Sequence, residues 1–230
     1  ITAKQVDTLI QNHYNDRNAE HTVQPGIVYI SFPTESGTLY SKQELTELYT
    51  VCQNHNIPLF IDGARLGYGL VAKKNDVTFE DIANLCDVFY IGGTKVGALF
   101  GECIVILNDL YRKDFRYSIK QHGGMLAKGR MLGIQFEELF KDNRYLTISK
   151  HAIDMAAILT EGFQSKGYRF YFPAETNQLF PIFENTKLEE LSKEFAFTPW
   201  AKVDETHTAV RFVTSFATKR ENVEYLLTKI

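Results

Sequence analysis

The stretch Asp87–Ala98, DVFYIGGTKVGA, decides the fold of this chain. Its apolar first half predicts a buried strand, and the glycines around Lys95 predict a loop directly after that strand. A second stretch, Ile57–Gly67, IPLFIDGARLG, repeats this pattern and brings Asp62 to the point where strand becomes loop. Two strands that end in polar, glycine-rich loops predict an α/β sheet with a ligand site at one edge.

Helical segments separate the predicted strands. Ser41 and Glu44 form a capping-box pattern at the start of one helix. Strands are predicted over residues 27–32, 58–61, 87–91 and 102–107. This alternation predicts a mainly parallel sheet with helices on both faces. The carboxyl ends of its strands, where Asp62 and Lys95 are expected, are where such sheets bind ligands.

The pattern changes after about residue 145. Residues 109–167 are mostly helical, and beyond them short strands over 168–172, 179–183 and 210–215 alternate with helices over 186–195 and 220–230. We therefore predict a large domain over residues 1–145 and a small α+β domain over residues 146–230.

The composition is that of a globular protein, with 44% hydrophobic residues among 230 and a formal net charge of −3. This charge does not favour a nucleic acid partner, and the strand-sized apolar runs favour no membrane partner. Cys52, Cys86 and Cys103 contain no CxxC pair, which predicts reduced thiols in a cytoplasmic protein and no metal site. The N-terminus has no signal-peptide pattern, which does not favour export. The chain begins with Ile1 rather than Met, which suggests a processed or truncated product.

An amine and a carboxylate at two strand ends are the pair that pyridoxal phosphate chemistry requires. Lys95 would form the Schiff base with this cofactor, and Asp62 would pair with its pyridinium nitrogen. Each residue also has a simpler interpretation, Lys95 as a solvated loop lysine and Asp62 as a turn aspartate before Gly63. A phosphate-loop nucleotide site is not favoured, because that motif needs GxxxxGK followed by Ser or Thr and Val96 follows Lys95.

Four segments resemble the threonine aldolase and aromatic amino acid beta-eliminating lyase family of fold-type I pyridoxal phosphate enzymes. They are residues 25–41, PGIVYISFPTESGTLYS; 60–66, FIDGARL; 91–98, IGGTKVGA; and 209–215, AVRFVTS. The resemblance implies a three-layer αβα large domain, of which this chain holds a part, and a small C-terminal domain. It also implies a further N-terminal section, which in the family carries the phosphate loop and the aromatic residue that stacks on the cofactor.

The resemblance assigns roles to individual residues. It implies that Lys95 and Asp62 are the catalytic pair that also binds the cofactor. Arg65 and Arg211 resemble the ligands of the substrate carboxylate, which a planar guanidinium binds through two hydrogen bonds. For either arginine, an ion pair with a surface acid is the alternative.

Four further residues have predicted roles at the cofactor. Thr94 is expected to donate to its phosphate, and Glu35 is expected at the edge of its site. Lys128 and Arg130 lie in QHGGMLAKGR, residues 121–130, which resembles the family segment that reaches the cofactor phosphate of the neighbouring subunit. The alternatives are local hydrogen bonds for Thr94 and Glu35 and a solvated basic helix start for the other two.

The activity implied by the resemblance is cleavage of threonine or allo-threonine to glycine and acetaldehyde. Two alternatives stay open: β-elimination from an aromatic or sulfur-bearing amino acid, and a catalytically inactive member kept for assembly. Because the family builds its sites between subunits, a homodimer or homotetramer is expected. His21, His122 and His207 are further candidates for a general base.

Overall fold

The computed structural model describes all 230 residues, and the elements are numbered in chain order. The helices are Ala3–Asn15 (α1), Lys42–Asn54 (α2), Leu66–Leu70 (α3), Phe79–Asn84 (α4), Asp109–Arg112 (α5), Phe115–Gln121 (α6), Arg130–Phe140 (α7), Arg144–Ser165 (α8), Asn185–Leu191 (α9) and Arg220–Lys229 (α10). The strands are Val28–Ser31 (β1), Leu59–Asp62 (β2), Val88–Ile91 (β3), Cys103–Ile106 (β4), Gln178–Leu179 (β5), Ile182–Glu184 (β6), Thr198–Lys202 (β7) and His207–Val213 (β8).

The first sheet has the strand order β1-β2-β3-β4. Strands β1, β2 and β3 are parallel, and β4 returns antiparallel to β3. Parallel strands end at one edge of a sheet, so the loops that follow β1, β2 and β3 meet there. Asp62 is the last residue of β2 and lies opposite Ser31 of β1.

One face of this sheet forms the larger hydrophobic core. Ile30, Ile61 and Phe89 belong to a cluster of 22 buried residues that includes the apolar sides of α1 and α2. On the opposite face Tyr29 and Ile104 are 54% and 46% exposed. The pattern of alternating strands and helices predicts helices on both faces, but the helices of this chain suffice to bury only one of them.

The second sheet is antiparallel, with β8 paired to β5, β6 and β7. Its core centres on Phe163 of α8, which is fully buried. The ring of Phe163 lies 5.7–6.0 Å, between centroids, from those of Tyr168, Phe170, Phe183 and Phe212. The C-terminal region therefore has an antiparallel sheet and a hydrophobic cluster of its own.

Helix α8 contributes to both cores. Tyr145 and Ala152, near its start, belong to the larger cluster, whereas Met155, Leu159 and Phe163 belong to a second cluster of 11 buried residues. The domain boundary near residue 145 falls in the first turn of this helix and stays a prediction.

Some predicted elements differ from the structure. The run 168–172 forms no strand beyond an isolated bridge between Phe170 and Pro181. The run 179–183 is divided between β5 and β6, and Pro181, which has no N–H to donate, lies at the break. Strand β7 is not predicted, because it is largely exposed and lacks an apolar alternation. None of the helices combines the length and apolar composition needed to cross a lipid bilayer.

Candidate active site

Asp62 lies between two tyrosines supplied by the neighbouring strands. The hydroxyl of Tyr29, from β1, donates to Oδ2 at 2.5 Å, and that of Tyr90, from β3, donates to Oδ1. The Ala64 amide donates to Oδ1 at 2.9 Å. Burial raises the pKa of Asp62, but these three hydrogen bonds and the charge of Lys95 outweigh it, so the pKa lies below its ordinary value. Asp62 is therefore an anion at neutral pH.

Lys95 lies in the turn Thr94–Val96 that follows β3. Its side chain is exposed and forms neither an ion pair nor a hydrogen bond. Its backbone carbonyl accepts a hydrogen bond from the buried Tyr68 hydroxyl, which fixes the main chain and leaves the amine free. Asp62 at the end of β2 and Lys95 in the turn after β3 lie at neighbouring strand ends, because these two strands are adjacent and parallel.

Buried contacts tie the Asp62 loop to the Lys95 loop. The Gly92 amide donates to the Gly63 carbonyl at 2.8 Å. A Cβ on Gly63 would lie 1.9 Å from the carbonyl oxygen of Tyr90, so only glycine permits this approach. The hydroxyl of Tyr145 donates to the Gly92 carbonyl and accepts from the Gly67 amide, both at 3.1 Å. These bonds hold the two loops at a fixed separation.

Arg65 follows Asp62 in the same loop and contacts Glu35, in the loop after β1. The distance from Nη1 of Arg65 to Oε1 of Glu35 is 3.4 Å. The Arg65 side chain is 13% exposed and that of Glu35 is 65% exposed. The mostly exposed Glu35 carboxylate makes a single long contact with Arg65, so it competes weakly with another carboxylate for the guanidinium. Arg65 therefore remains accessible to an acidic ligand.

Arg211 extends from β8 and has no acidic partner. Its Nη1 lies 3.5 Å from Oε1 of Gln178, and its Cζ lies 5.7 Å from the centroid of the Trp200 ring. Its Nε is buried and has no hydrogen-bond acceptor. A buried guanidinium N–H without an acceptor is unfavourable, and a carboxylate is the acceptor that fits it best.

Gln178 links Arg211 to the loop that carries Glu35, and the sequence analysis did not identify it. Its side chain is fully buried; Nε2 donates to the backbone carbonyl of Glu35 at 3.1 Å, while Oε1 faces Arg211. The hydroxyl of Thr176 donates to the Gly37 carbonyl at 2.9 Å and fastens the same loop. The C-terminal region is thus fixed against the loop that contacts Arg65. No local pattern distinguishes Gln178 from other strand residues, so only the tertiary structure identifies it.

Other candidate residues make local contacts. The Thr94 hydroxyl donates to Glu102 at 2.9 Å, and the same carboxylate accepts from the Gly93 amide at 2.7 Å. Lys128 and Arg130 are exposed at the start of α7 and form no ion pair. The roles predicted for these three residues, and for Glu35, stay predictions.

The candidate histidines bond to neighbours in sequence. His122 contacts the Ser118 carbonyl at 2.8 Å, and His207 contacts Asp204 at 3.1 Å. His21 lies 3.8 Å from Glu20. None of the three is hydrogen-bonded to Asp62, Lys95 or either arginine.

The family model described as beta-eliminating lyase matches residues 4–186. The chain belongs to the beta-eliminating lyase family. The family and its fold are those of pyridoxal phosphate-dependent enzymes, as the sequence resemblance implies.

Relatives of this beta-eliminating lyase family member carry the name low specificity L-threonine aldolase. The protein from Pseudomonas sp. (strain NCIMB 10558) is 31% identical over 175 residues, and that from Pseudomonas aeruginosa is 30% identical over 172 residues. Each alignment covers 74% of this chain and 50% of the relative. The chain therefore spans about half the length of the curated relatives it matches.

Solved structures show the same fold. Threonine aldolase from Leishmania major superposes with a TM-score of 0.94 at 42% identity, covering 99% of this chain and 66% of that one. An aspartate aminotransferase from Thermus thermophilus superposes with a TM-score of 0.65 at 16% identity, covering 91% of this chain and 58% of that one. The chain therefore has the fold-type I architecture.

Proposed function

We propose that this chain carries the cofactor and substrate residues of a pyridoxal phosphate-dependent lyase that cleaves threonine or allo-threonine to glycine and acetaldehyde. The observation that carries the proposal is the placement of two groups at adjacent strand ends. They are the carboxylate of Asp62, which is an anion, and the amine of Lys95, which forms no ion pair. The names of the relatives supply the substrate class.

The residues present fit the cofactor. Asp62 offers an anionic partner for a protonated ring nitrogen, and Lys95 offers an amine free of any acid. Pyridoxal phosphate, when bound, supplies an electron sink for the charge left on the amino acid's α-carbon. Asp62 would hold the proton on the ring nitrogen, and Lys95 would hold the cofactor through its amine.

Arg65 and Arg211 bind the α-carboxylate of the amino acid in this proposal. Arg211 gains the acceptor that its buried Nε lacks, and Arg65 exchanges the exposed Glu35 carboxylate for that of the substrate. Two cations on one carboxylate fix how the amino acid lies, which sets the bond that is cleaved.

Lysine labelling tests the proposal. Borohydride reduction of the full-length protein with pyridoxal phosphate, followed by peptide mass mapping, is expected to place a phosphopyridoxyl group on Lys95. Lys95→Ala should lose the adduct, whereas Lys73→Ala, which removes an exposed lysine outside the site, should retain it. An unlabelled Lys95 in the wild-type protein would contradict the proposal.

β-Elimination is the second candidate, because the matching family model carries that description. The same lysine, acid and arginines would serve an aromatic or sulfur-bearing amino acid. Product analysis separates the two reactions: cleavage of threonine releases glycine, and β-elimination releases ammonia and a keto acid. Ammonia without glycine would replace the leading proposal with this one.

The proposal includes a cytoplasmic homodimer, or a tetramer of such dimers. Its support is an exposed apolar patch formed by Leu99, Leu126, Met131 and Ile134, each at least half exposed. The Leu99 amide donates a hydrogen bond of 2.7 Å to Oε1 of Gln135, and this bond holds the loop after Lys95 against α7. Exposed clusters of large apolar residues favour a protein partner. The free state of all three cysteines supports the cytoplasmic location.

A further inference from the structure

Tyr29 and Tyr90 flank Asp62 on the partly exposed face of the first sheet. The three side chains come from three adjacent strands, β1, β2 and β3. The Tyr29 ring stacks on Phe60, with centroids 5.2 Å apart and an interplanar angle of 8°. This stacking directs the Tyr29 hydroxyl to Oδ2, while Tyr90 reaches Oδ1 from the other side.

The hydrogen bonds of Asp62 leave room for one more donor. An ionised carboxylate has about four acceptor positions. Tyr29, Tyr90 and the Ala64 amide fill three of them. A neutral pyridine nitrogen has no proton to donate, whereas a protonated one does. The remaining acceptor position of Asp62 therefore favours a cofactor whose pyridine nitrogen is protonated over one whose nitrogen is neutral.

We propose, building on the proposed function, that Tyr29 and Tyr90 are positioning residues that hold Asp62 ionised and oriented toward the ring nitrogen of the cofactor. Each hydroxyl stabilises the carboxylate and makes it a weaker base. A weaker base leaves the shared proton on the ring nitrogen rather than taking it.

The titration behaviour of the three groups agrees with this arrangement. Burial and the hydrogen bond to Asp62 raise the pKa of Tyr29 to about 12 and also raise that of Tyr90. Both phenols therefore remain donors at neutral pH. The other charged groups that act on the cluster are Lys95 on Asp62, Glu35 on Tyr29 and Glu102 on Tyr90.

Phenylalanine variants test the inference, because they remove the hydroxyls and keep the rings. In cofactor-free full-length protein, carbon-detected NMR of labelled aspartate is expected to show a higher Asp62 pKa in Tyr29→Phe and in Tyr90→Phe, and a larger rise in the double variant. Tyr171→Phe is the matched control, since the Tyr171 hydroxyl forms no hydrogen bond to a side chain or backbone group. Tyr29 is 54% exposed, so Tyr29→Phe carries the test if Tyr90→Phe does not fold.

The second readout is the ring nitrogen of bound, ¹⁵N-labelled pyridoxal phosphate. Its NMR shift is expected to report a protonated nitrogen in the wild-type protein and a smaller protonated fraction in the double variant. If the double variant changes neither the Asp62 pKa nor the nitrogen shift, the role of the two tyrosines is wrong and the proposed function is unaffected. Failure of the proposed function gives a different result, because the wild-type protein then binds no pyridoxal phosphate at Lys95. That result would also overturn the role of the two tyrosines toward the ring nitrogen.

Discussion

At the scale of single residues, the buried Nε–H of Arg211 without an acceptor is unusual, because nearly all buried polar groups are paired. Gln178 and Trp200 hold the guanidinium in place without neutralising it. The buried N–H raises the free energy of the folded protein until an anion binds and accepts its hydrogen bond. In the proposed function, the substrate carboxylate supplies this missing acceptor, and the hydrogen bond it forms with Arg211 contributes to substrate binding.

Arg211→Lys tests this role. Lysine keeps the charge but loses the planar pair of donors, so we expect the KM for threonine to rise about 10- to 100-fold, the loss of a charge-assisted hydrogen bond. Steady-state kinetics measure it, with Arg116→Lys on exposed α6 as control. An unchanged KM would show that the guanidinium does not bind the carboxylate.

Asp62→Asn has a predicted effect on the pH dependence of stability. The folded-state pKa of Asp62 is lowered, so its ionised form stabilises the fold above the unfolded-state pKa, about 4, and this contribution is lost as the pH falls through the lower folded-state pKa. The gap in unfolding free energy between wild type and variant should be constant above about pH 5 and shrink below about pH 4. Urea denaturation across this range measures the gap. A pH-independent gap would contradict the ionised state assigned here.

At the scale of elements, Tyr145 joins α8 to both functional loops. Removing its hydroxyl leaves the Gly67 amide and the Gly92 carbonyl without their partner in a buried place. We expect Tyr145→Phe to lower the free energy of unfolding by about 2–4 kcal/mol, since each unpaired buried group costs about 1–3 kcal/mol.

Urea denaturation measures this change. Tyr117→Phe is the matched control, because Tyr117 is 71% exposed. A loss below about 0.5 kcal/mol, the usual range for surface changes, would mean that the hydroxyl does not hold the loops together.

The sequence predicts those elements whose signals are local. Ser41 and Glu44 form the predicted capping box, with bonds of 3.2 and 2.8 Å, because both partners lie within four residues. The strand ends at Asp62 and Lys95 are predicted because an apolar run stops at a polar, glycine-rich loop. These signals suffice for the fold class, and they also lead to the proposed position of the site.

Contacts between distant residues are not predicted. Tyr29, 33 residues before Asp62, and Tyr145, 78 residues after Gly67, meet their partners only because of strand order and helix packing. Their spacing in the sequence carries no periodic signal. Only the three-dimensional structure therefore shows that Tyr29 bonds to Asp62 and that Tyr145 joins the two loops.

At the scale of the whole molecule, the apolar patch around α7 predicts self-association. A charge at its centre must be desolvated if a second copy covers it, which is unfavourable. If the full-length protein forms the proposed dimer or tetramer through this patch, we expect Ile134→Glu to yield smaller species in sedimentation analysis at micromolar concentration. Val23→Glu, at a loop residue that is 93% exposed, should leave the assembly unchanged. An Ile134→Glu protein of wild-type size would place the interface elsewhere.

The continuous helix α8 determines how this molecule loses its structure. Its first turns are buried in one core and its later turns in the other, so neither core can open without removing half of the helix's packing. The slowest amide hydrogen exchange should therefore lie in the middle of α8, near Ala152 and Met155, and follow global opening. A substitution that destabilises either core should then lower the stability of both regions, which we expect to unfold in one cooperative transition.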